Sequence, residues 1–281
     1  MSGRLVVVAT PIGNLADLSR RALDVLSSAD VIYCEDTRHS RQLLSAHQLP
    51  SGGRLLALHE HNEASLCEQV VRRILEGQTV ALVTDAGTPG ISDPGERVVA
   101  AVAAAGLTVT TTPGPSAAVA ALSVSGLPSE RFVMEGFVPR KLGDRAALFQ
   151  LWQREPRTVI FYESPQRLAA TLAEMTALLG DRRAVVVREL TKMYEEVVRG
   201  TVASLAELFS RRETRGEIVG ILEGSPTPPA SDDATVRRAL HDEFERGAST
   251  RDAATAVAEA LGAPHRRVYE MALAVRRENQ E

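Results

Sequence analysis

Apolar residues recur along this chain in two alternating rhythms. Leu5–Thr10 is an apolar run of strand length, and Ser19–Ala29 follows with apolar residues at helical spacing. Val31–Cys34, Leu55–Leu58, Thr79–Thr84 and Leu107–Thr111 read as further strands. Helices are expected near Arg38–His47, over Ala64–Glu76 and over Glu96–Ala105. Within Ala64–Glu76, Leu66, Val70, Ile74 and Leu75 share one face, and Gly77 supplies the stop. Strands separated by single helices need crossover connections, which predicts a largely parallel sheet. Gly126-Leu127-Pro128 ends this first layer.

A second α/β unit follows. Phe132–Phe137, Thr158–Tyr162, Ala184–Glu189, Glu195–Thr201 and Glu217–Glu223 read as strands. Asp144–Arg154, Gln166–Leu179 and Ala203–Arg212 read as helices, the second closed by Gly180. Gly224-Ser225-Pro226-Thr227-Pro228-Pro229-Ala230-Ser231 cannot hold regular structure and reads as a linker. Helices are expected again over 233–246, 249–261 and 264–277, separated by Gly247 and Gly262. The predicted organisation is an α/β chain: residues 1–127 as one domain, 128–224 as a second, 225–231 as linker, and 232–281 as a small helical module.

Composition narrows the class. With 44% hydrophobic and 24% charged residues in 281, the chain is globular, and no apolar run reaches membrane-spanning length. Met1-Ser2-Gly3-Arg4 leads straight into a short strand, without the long apolar region of a secretion signal, so a cytoplasmic protein is expected. Cys34 and Cys67 show no metal-ligand spacing and read as reduced packing residues. The charge is uneven. Residues 1–130 carry 9 Lys and Arg against 13 Asp and Glu, a net of −4, and residues 131–223 carry 15 against 13, a net of +2. Residues 224–281 carry 8 against 10, a net of −2, so any nucleic-acid surface must be a local arginine patch.

Open parallel sheets bind ligands at the loops that follow strand C-termini. Three such loops are unusual here. Thr10-Pro11-Ile12-Gly13-Asn14-Leu15 is neither G-x-G-x-x-G nor a Walker loop, which disfavours a nicotinamide or P-loop nucleotide site. Asp85-Ala86-Gly87-Thr88-Pro89-Gly90-Ile91-Ser92-Asp93-Pro94-Gly95 holds three glycines and two prolines in eleven residues. Glycine permits positive φ and close approach of a ligand to the backbone, and proline stiffens the loop. Pro113-Gly114-Pro115-Ser116-Ala117-Ala118 opens an alanine-rich helix, with Ser116 either a ligand contact or a simple N-cap.

Taken together these loops resemble the tetrapyrrole methylase superfamily. The matching stretches are Ala9–Leu15, Glu35-Asp36-Thr37-Arg38-His39, His59-Glu60-His61-Asn62-Glu63, Asp85–Gly95, Pro113-Gly114-Pro115, Phe161-Tyr162-Glu163-Ser164 and Arg188-Glu189-Leu190-Thr191-Lys192. They occur in order between about residues 5 and 223; Gly90 and Ser116 stand where family members vary. Within the superfamily the chain is similar to the branch that methylates a cytidine ribose 2′-hydroxyl of small-subunit (16S) ribosomal RNA. The resemblance implies two αβα domains, S-adenosyl-L-methionine in the cleft between them, and a homodimer acting on the small ribosomal subunit. It implies cofactor contacts at Pro11, Asp85, Ala86, Gly87, Gly90, Ile91, Ser116, Ala117, Glu163 and Leu190, many through backbone atoms. A porphyrinoid C-methyltransferase and a non-catalytic cofactor-binding protein are the alternatives on the same fold. The helical tail and the loops at Glu35–His39 and His59–Asn62 argue against the first.

Methyl transfer from a sulfonium is chiefly a matter of alignment, aided by a base or an alkoxide-stabilising cation. The catalytic candidates are Arg188, Glu189 and Lys192. Thirty of the 32 basic residues are arginine, with Lys141 and Lys192 the exceptions. Lysine can lose its proton when desolvated, whereas arginine effectively cannot. Glu35, Asp36, Thr37, Arg38, His59, His61 and Asn62 are expected to face substrate. For Asp36 or Thr37 a helix N-cap is the competing reading. His59 and His61 lack a third ligand at metal spacing, and no metal is expected. Phe149 and Trp152 lie at helical spacing and are expected in the core. In the tail, Arg266, Arg267, Arg276 and Arg277 would face phosphate if the last helices form a helix-turn-helix, with a plain helical hairpin the alternative.

Overall fold

The computed structural model describes residues 3–226 and 233–278. Most of the expected linker, along with Asp232, Met1 and Ser2, lies outside them. Two compact units emerge, residues 1–224 and 225–281.

The first unit contains two sheets. Sheet one is built from β1 (Arg4–Val8), β2 (Val31–Cys34), β3 (Leu55–Ala57), β4 (Thr79–Leu82) and β5 (Thr108–Thr112) in the order β3-β2-β4-β1-β5. Every pairing in it is parallel, as the alternation of strands and helices required. Its helices are α1 (Arg20–Ser28), α2 (Thr37–Ala46), α3 (Glu63–Leu75) and α4 (Glu96–Ala104). The strand side chains divide by parity. Val6, Val8, Ile32, Cys34 and Ala81 pack with Ala22, Leu26 and Leu44 on one face. Leu5, Val31, Tyr33, Val80 and Leu82 pack with Val70, Ile74, Val98 and Val102 on the other. A sheet buried on both faces needs apolar residues at nearly every strand position, which is why β1, β2 and β4 read as apolar runs, whereas the edge strand β5 is threonine-rich and largely exposed. The caps are local. Ser19 Oγ accepts from the Ala22 amide to start α1, and Gly77 turns with φ 88° after α3.

Next come α5 (Ala117–Ser125), β6 (Phe132–Phe137), α6 (Leu142–Trp152), β7 (Thr158–Glu163), α7 (Leu168–Leu179), β8 (Arg183–Arg188), β9 (Glu196–Thr201), α8 (Val202–Ser210) and β10 (Ile218–Leu222). Sheet two has the order β6-β7-β10-β8-β9. Here β6 and β7 are parallel, whereas β7–β10, β10–β8 and β8–β9 are antiparallel. The short 189–195 connection carries no helix, so β8 and β9 form a hairpin. Phe149 and Trp152 are buried in the core on one face, beside Phe161, with ring centroids 5.3–5.4 Å apart. On the other face α5, through Ala118, Ala121 and Leu122, packs against Ile160, Val185, Val187, Val219 and Ile221. The helix that follows sheet one thus covers sheet two. Arg199 on β9 ties the α5 C-terminus by donating to the carbonyls of Ser125, at 3.0 Å, and Val124.

The second unit is three helices, α9 (Asp233–Glu245), α10 (Thr250–Leu261) and α11 (His265–Glu278), around Val236, Leu240, Ala254, Val257, Val268, Ala272 and Val275. Ser249 caps α10, and Gly262 ends it in the left-handed region. Among the described residues no helix is long and apolar enough to cross a membrane.

Candidate active site

In sheet one, β1 sends the chain toward the β3 edge and its neighbour β4 sends it toward β5, so their loops part at the C-terminal end of the sheet. The 85–95 loop leaves β4 there, and Thr10 in the β1 loop bridges to Gly87 through mutual backbone bonds of 2.8 and 3.1 Å. Gly87, Gly90 and Gly95 have φ of 90°, 81° and 136°, conformations that side chains with a Cβ avoid. Ser92 enters the left-handed region without being glycine.

These loops line a cavity of about 410 Å³, within the range of small-molecule sites. Sheet one contributes Ile12, Glu35, Asp85, Ala86, Gly87, Thr88, Ile91, Ser92 and Asp93. The start of α5 contributes Ser116 and Ala117, and sheet two contributes Tyr162, Glu163, Ser164, Leu190 and the 216–219 segment. Eight of the ten expected cofactor contacts therefore line it. Pro11 lines an adjoining recess, which shares Ile12, Asp85, Ala86 and Glu217 with the cavity. Gly90 shapes the loop from behind, where its amide donates to the Pro94 carbonyl. Ser116 occupies the N-cap position of α5 but makes no side-chain cap bond. Glu163 is buried and its carboxylate is committed: it accepts from the Ser164 amide, Arg167 Nε and Thr171 Oγ1 at 2.6–2.7 Å.

Acidity concentrates on the sheet-one wall. Thr84 Oγ1 donates to Glu35 Oε2 at 3.1 Å. Asp85 accepts from the Asp36 amide at 3.1 Å and meets His39 Nδ1 at 3.0 Å. Asp93 is pushed up to about 6, first by burial, then by the charges of Glu35 and Asp85, against a lowering bond from Thr84. Glycine and proline mark the loop that carries Asp93 in the sequence, whereas Asp93 itself gains its significance only from the burial and the neighbouring carboxylates that the fold supplies.

The opposite wall carries a strained turn. Glu189 and Thr191 have φ of 51° and 66°, and neither is glycine. Glu189 Oε1 accepts from the Glu217 amide at 2.9 Å and from Lys192 Nζ at 3.0 Å, and Lys192 also pairs with Glu217 Oε2 at 3.2 Å. A Cβ on Gly216 would lie 2.4 Å from the Glu189 carboxylate, so glycine there makes room for it. A Cβ on Gly13 would lie 2.5 Å from Lys192 Cγ, which shows how closely the β1 loop meets this turn. Burial pulls the Lys192 pKa down, but Glu189 and Glu217 outweigh it and leave the value above ordinary lysine. Of the two roles open to Lys192, proton removal or charge alone, these surroundings favour charge.

Family membership follows from comparison with known proteins. The model of the tetrapyrrole (corrin/porphyrin) methylases matches residues 4–206. The chain belongs to the tetrapyrrole methylase family. A ribosomal RNA small subunit methyltransferase I of Xylella fastidiosa (strain Temecula1 / ATCC 700964) is 46% identical over 270 residues, covering 95% of this chain and 98% of that relative. The protein of the same name from Escherichia coli O157:H7 is 48% identical over 225 residues, covering 79% of this chain and 78% of that relative. Among solved structures, a uroporphyrin-III C-methyltransferase from Thermus thermophilus, complexed with S-adenosylhomocysteine, matches with a TM-score of 0.53 at 20% identity. It covers 79% of this chain and 97% of that one, and the likeness is one of fold.

The remaining candidates of this methylase scatter. Asp36 is the N-cap of α2: it accepts from the Arg38 amide at 2.7 Å and pairs with the Arg38 guanidinium, which holds its carboxyl far below the usual range. Thr37 opens that helix. Neither they nor Arg38, His59, His61 and Asn62 line the cavity or its recess. Asn62 closes its own loop, accepting from the His59 amide at 2.8 Å and donating to the Ala57 carbonyl at 3.1 Å. The His59 and His61 rings meet edge to face at 6.0 Å. Arg188 turns away from the cavity to pair with Glu196 on β9 at 3.0 Å. His39, Phe137, Tyr162 and Glu217, which line the cavity or its recess, carried no individual signal in the sequence; only His39 and Tyr162 lie in matching stretches.

Proposed function

We propose that this chain is an S-adenosyl-L-methionine-dependent methyltransferase of small-subunit ribosomal RNA, acting on a cytidine ribose 2′-hydroxyl of 16S RNA. The observation that carries the reading is the match, along almost the whole chain, to relatives named ribosomal RNA small subunit methyltransferase I. The cavity fits the cofactor. It offers glycine backbone at Gly87, a helix start at Ser116-Ala117, and carboxylates of Glu35 and Asp85 to face a sulfonium and an ammonium group.

S-adenosylmethionine bound there supplies a methyl group already activated on sulfur. The chain's task is positional: the walls from the two sheets hold donor and acceptor in line and exclude water. Asp93, poised near neutrality, accepts the hydroxyl proton at a carboxylate oxygen. Lys192, held as a cation by Glu189 and Glu217, stabilises the developing alkoxide from the adjoining recess. The domains run 1–127, 128–224 and 232–281, the last docking RNA. The protein works in the cytoplasm as a homodimer.

The test is direct. Purified protein is incubated with labelled cofactor and small subunits from a strain lacking this activity, and the methylated nucleotide is mapped by mass spectrometry. A single 2′-O-methylcytidine in 16S RNA is expected; label on porphyrinoids alone would sink the reading.

A further inference from the structure

Next to the cavity, along the 212–215 segment, lies a second recess whose walls are rich in arginine. Its two lobes share Arg212, Glu213, Thr214 and Arg215; Arg188 lines the lobe of about 200 Å³, and Pro165 and Phe209 line the lobe of about 530 Å³. Two features join it to the cavity. Pro165 lines both, and the residues that follow Arg215, Gly216 and Glu217, are cavity wall. Pro165 and the Arg215–Gly216 step thus stand where the cavity and this groove meet.

The charges there are not neutralised. Arg188 Nε and the Arg212 guanidinium converge on one carboxylate, Glu196, at 2.8–3.0 Å. Two guanidiniums on one carboxylate leave a positive charge and several N–H donors over. Arg212 is stiffened further by lying 4.4 Å over the Phe209 ring. Arg215 pairs with Glu213 at 2.9 Å, but both side chains are largely exposed, so that pair is weak and easily exchanged for a phosphate. All this falls in the one stretch of the chain, 131–223, whose net charge is positive.

We infer that the groove formed by Arg188, Arg212 and Arg215 holds the RNA phosphates flanking the nucleotide being methylated. The inference rests on the proposed RNA substrate and adds the path of its backbone. Arg188, expected from the sequence to act in catalysis, serves here as a phosphate contact. Sequence-independent contacts of this kind set register on the RNA, and each phosphate contact adds to the salt dependence of binding.

The experiment compares wild-type protein with Arg212→Gln/Arg215→Gln, Arg215→Gln and Arg212→Lys. Methyl transfer to unmodified small subunits is followed against subunit and KCl concentration, and cofactor affinity is followed by calorimetry. The double variant should raise KM for subunits about tenfold or more with kcat nearly unchanged. The slope of log affinity against log salt should flatten by about 0.7 for each phosphate contact removed. Arg215→Gln, altered at an exposed side chain, should show part of the effect, and Arg212→Lys should keep most of the affinity. Cofactor affinity should match wild type throughout. A double variant with wild-type KM and salt slope overturns the groove. Should the wild type itself transfer no methyl to small subunits, the functional reading falls, and filter binding of subunits then decides the groove. Salt-dependent affinity lost in the double variant upholds it, and equal affinity overturns it.

Discussion

The two loops that face each other across the cavity are built on opposite plans. The 85–95 loop reaches its left-handed conformations mainly with glycine, at Gly87, Gly90 and Gly95. The 189–192 turn reaches them with Glu189 and Thr191, each at a strain of about 1–3 kcal/mol. Glycine gives up side chains in exchange for access to backbone. Glutamate in the left-handed region keeps a carboxylate, and that carboxylate holds Lys192. One loop exposes its backbone to the cavity and the other presents charge, and each can be broken in its own way.

The largest effect is expected in the glycine loop. Gly87→Val places a β-branched residue at φ 90°, where it is strongly disfavoured, and its Cβ would lie 3.6 Å from Ile12 within the cavity wall. If the free loop relaxes to relieve strain of about 3 kcal/mol, restoring its binding conformation costs about 10²-fold in affinity, and the added methyl groups intrude further. Calorimetry should show no S-adenosylmethionine binding, with circular dichroism unchanged. Unaltered affinity would remove the loop from the cofactor site.

Asp93 sharpens the contrast, because it is a charged group on the glycine-built side. Asp93→Asn should lower single-turnover methyl transfer about 10²-fold, the scale of a positioned base. Since its carboxyl titrates near 6, wild-type transfer should rise as pH increases through that value, and the variant should lose that limb. Stability runs the other way. The folded-state pKa lies above the ordinary 3.8, so between those values the folded chain binds more protons than the unfolded one, and stability falls as pH rises through the window. Denaturation at a series of pH values should show this slope in wild type and a flatter one in Asp93→Asn.

Lys192 probes the opposite wall. Lys192→Met removes the cation and leaves Glu189 and Glu217 without their partner, and a loss of about 10- to 100-fold in rate is expected. Because the carboxylates hold Lys192 protonated, Lys192→Arg should recover most of the activity. Poor rescue by arginine, with intact cofactor binding, would reinstate proton removal by the lysine.

The same contrast explains what could be read from sequence. The central strands of sheet one were legible because burial on both faces makes nearly every position apolar, and single-helix crossovers force parallel pairing. The 85–95 loop was legible because glycine and proline mark backbone geometry directly. The mixed order of sheet two was not, since where β10 inserts depends on contacts between strands distant in sequence. Nor was the placing of α5 on sheet two, as its small residues suit either neighbour. Within the site, residue types were visible but directions were not. Arg188 and Lys192, four apart, face different recesses because the turn between them is left-handed at two positions.

The smallest expected effect comes from a residue that adjoins the expected substrate contacts His59, His61 and Asn62. Glu63 closes the His59–Glu63 stretch, yet it is buried and its Oε1 accepts from the amides of Gly95, Arg97 and Val98 at 2.8–3.3 Å. A carboxylate from the start of α3 thus caps the start of α4, whose own N-cap, Gly95, has no side chain to do so. Glu63→Gln keeps an acceptor oxygen and removes only the charge facing the helix N-terminus, which is a loss of about 1 kcal/mol. Thermal unfolding should begin about 2–4 °C lower. Cofactor affinity should stay close to wild type, since Gly87 and Ala86 lie at the other end of the loop from the cap. A Glu63→Gln protein with an unchanged midpoint but impaired methyl transfer would move this stretch from scaffold to substrate contact. It would also show that the two walls of the cavity are not the whole of the site.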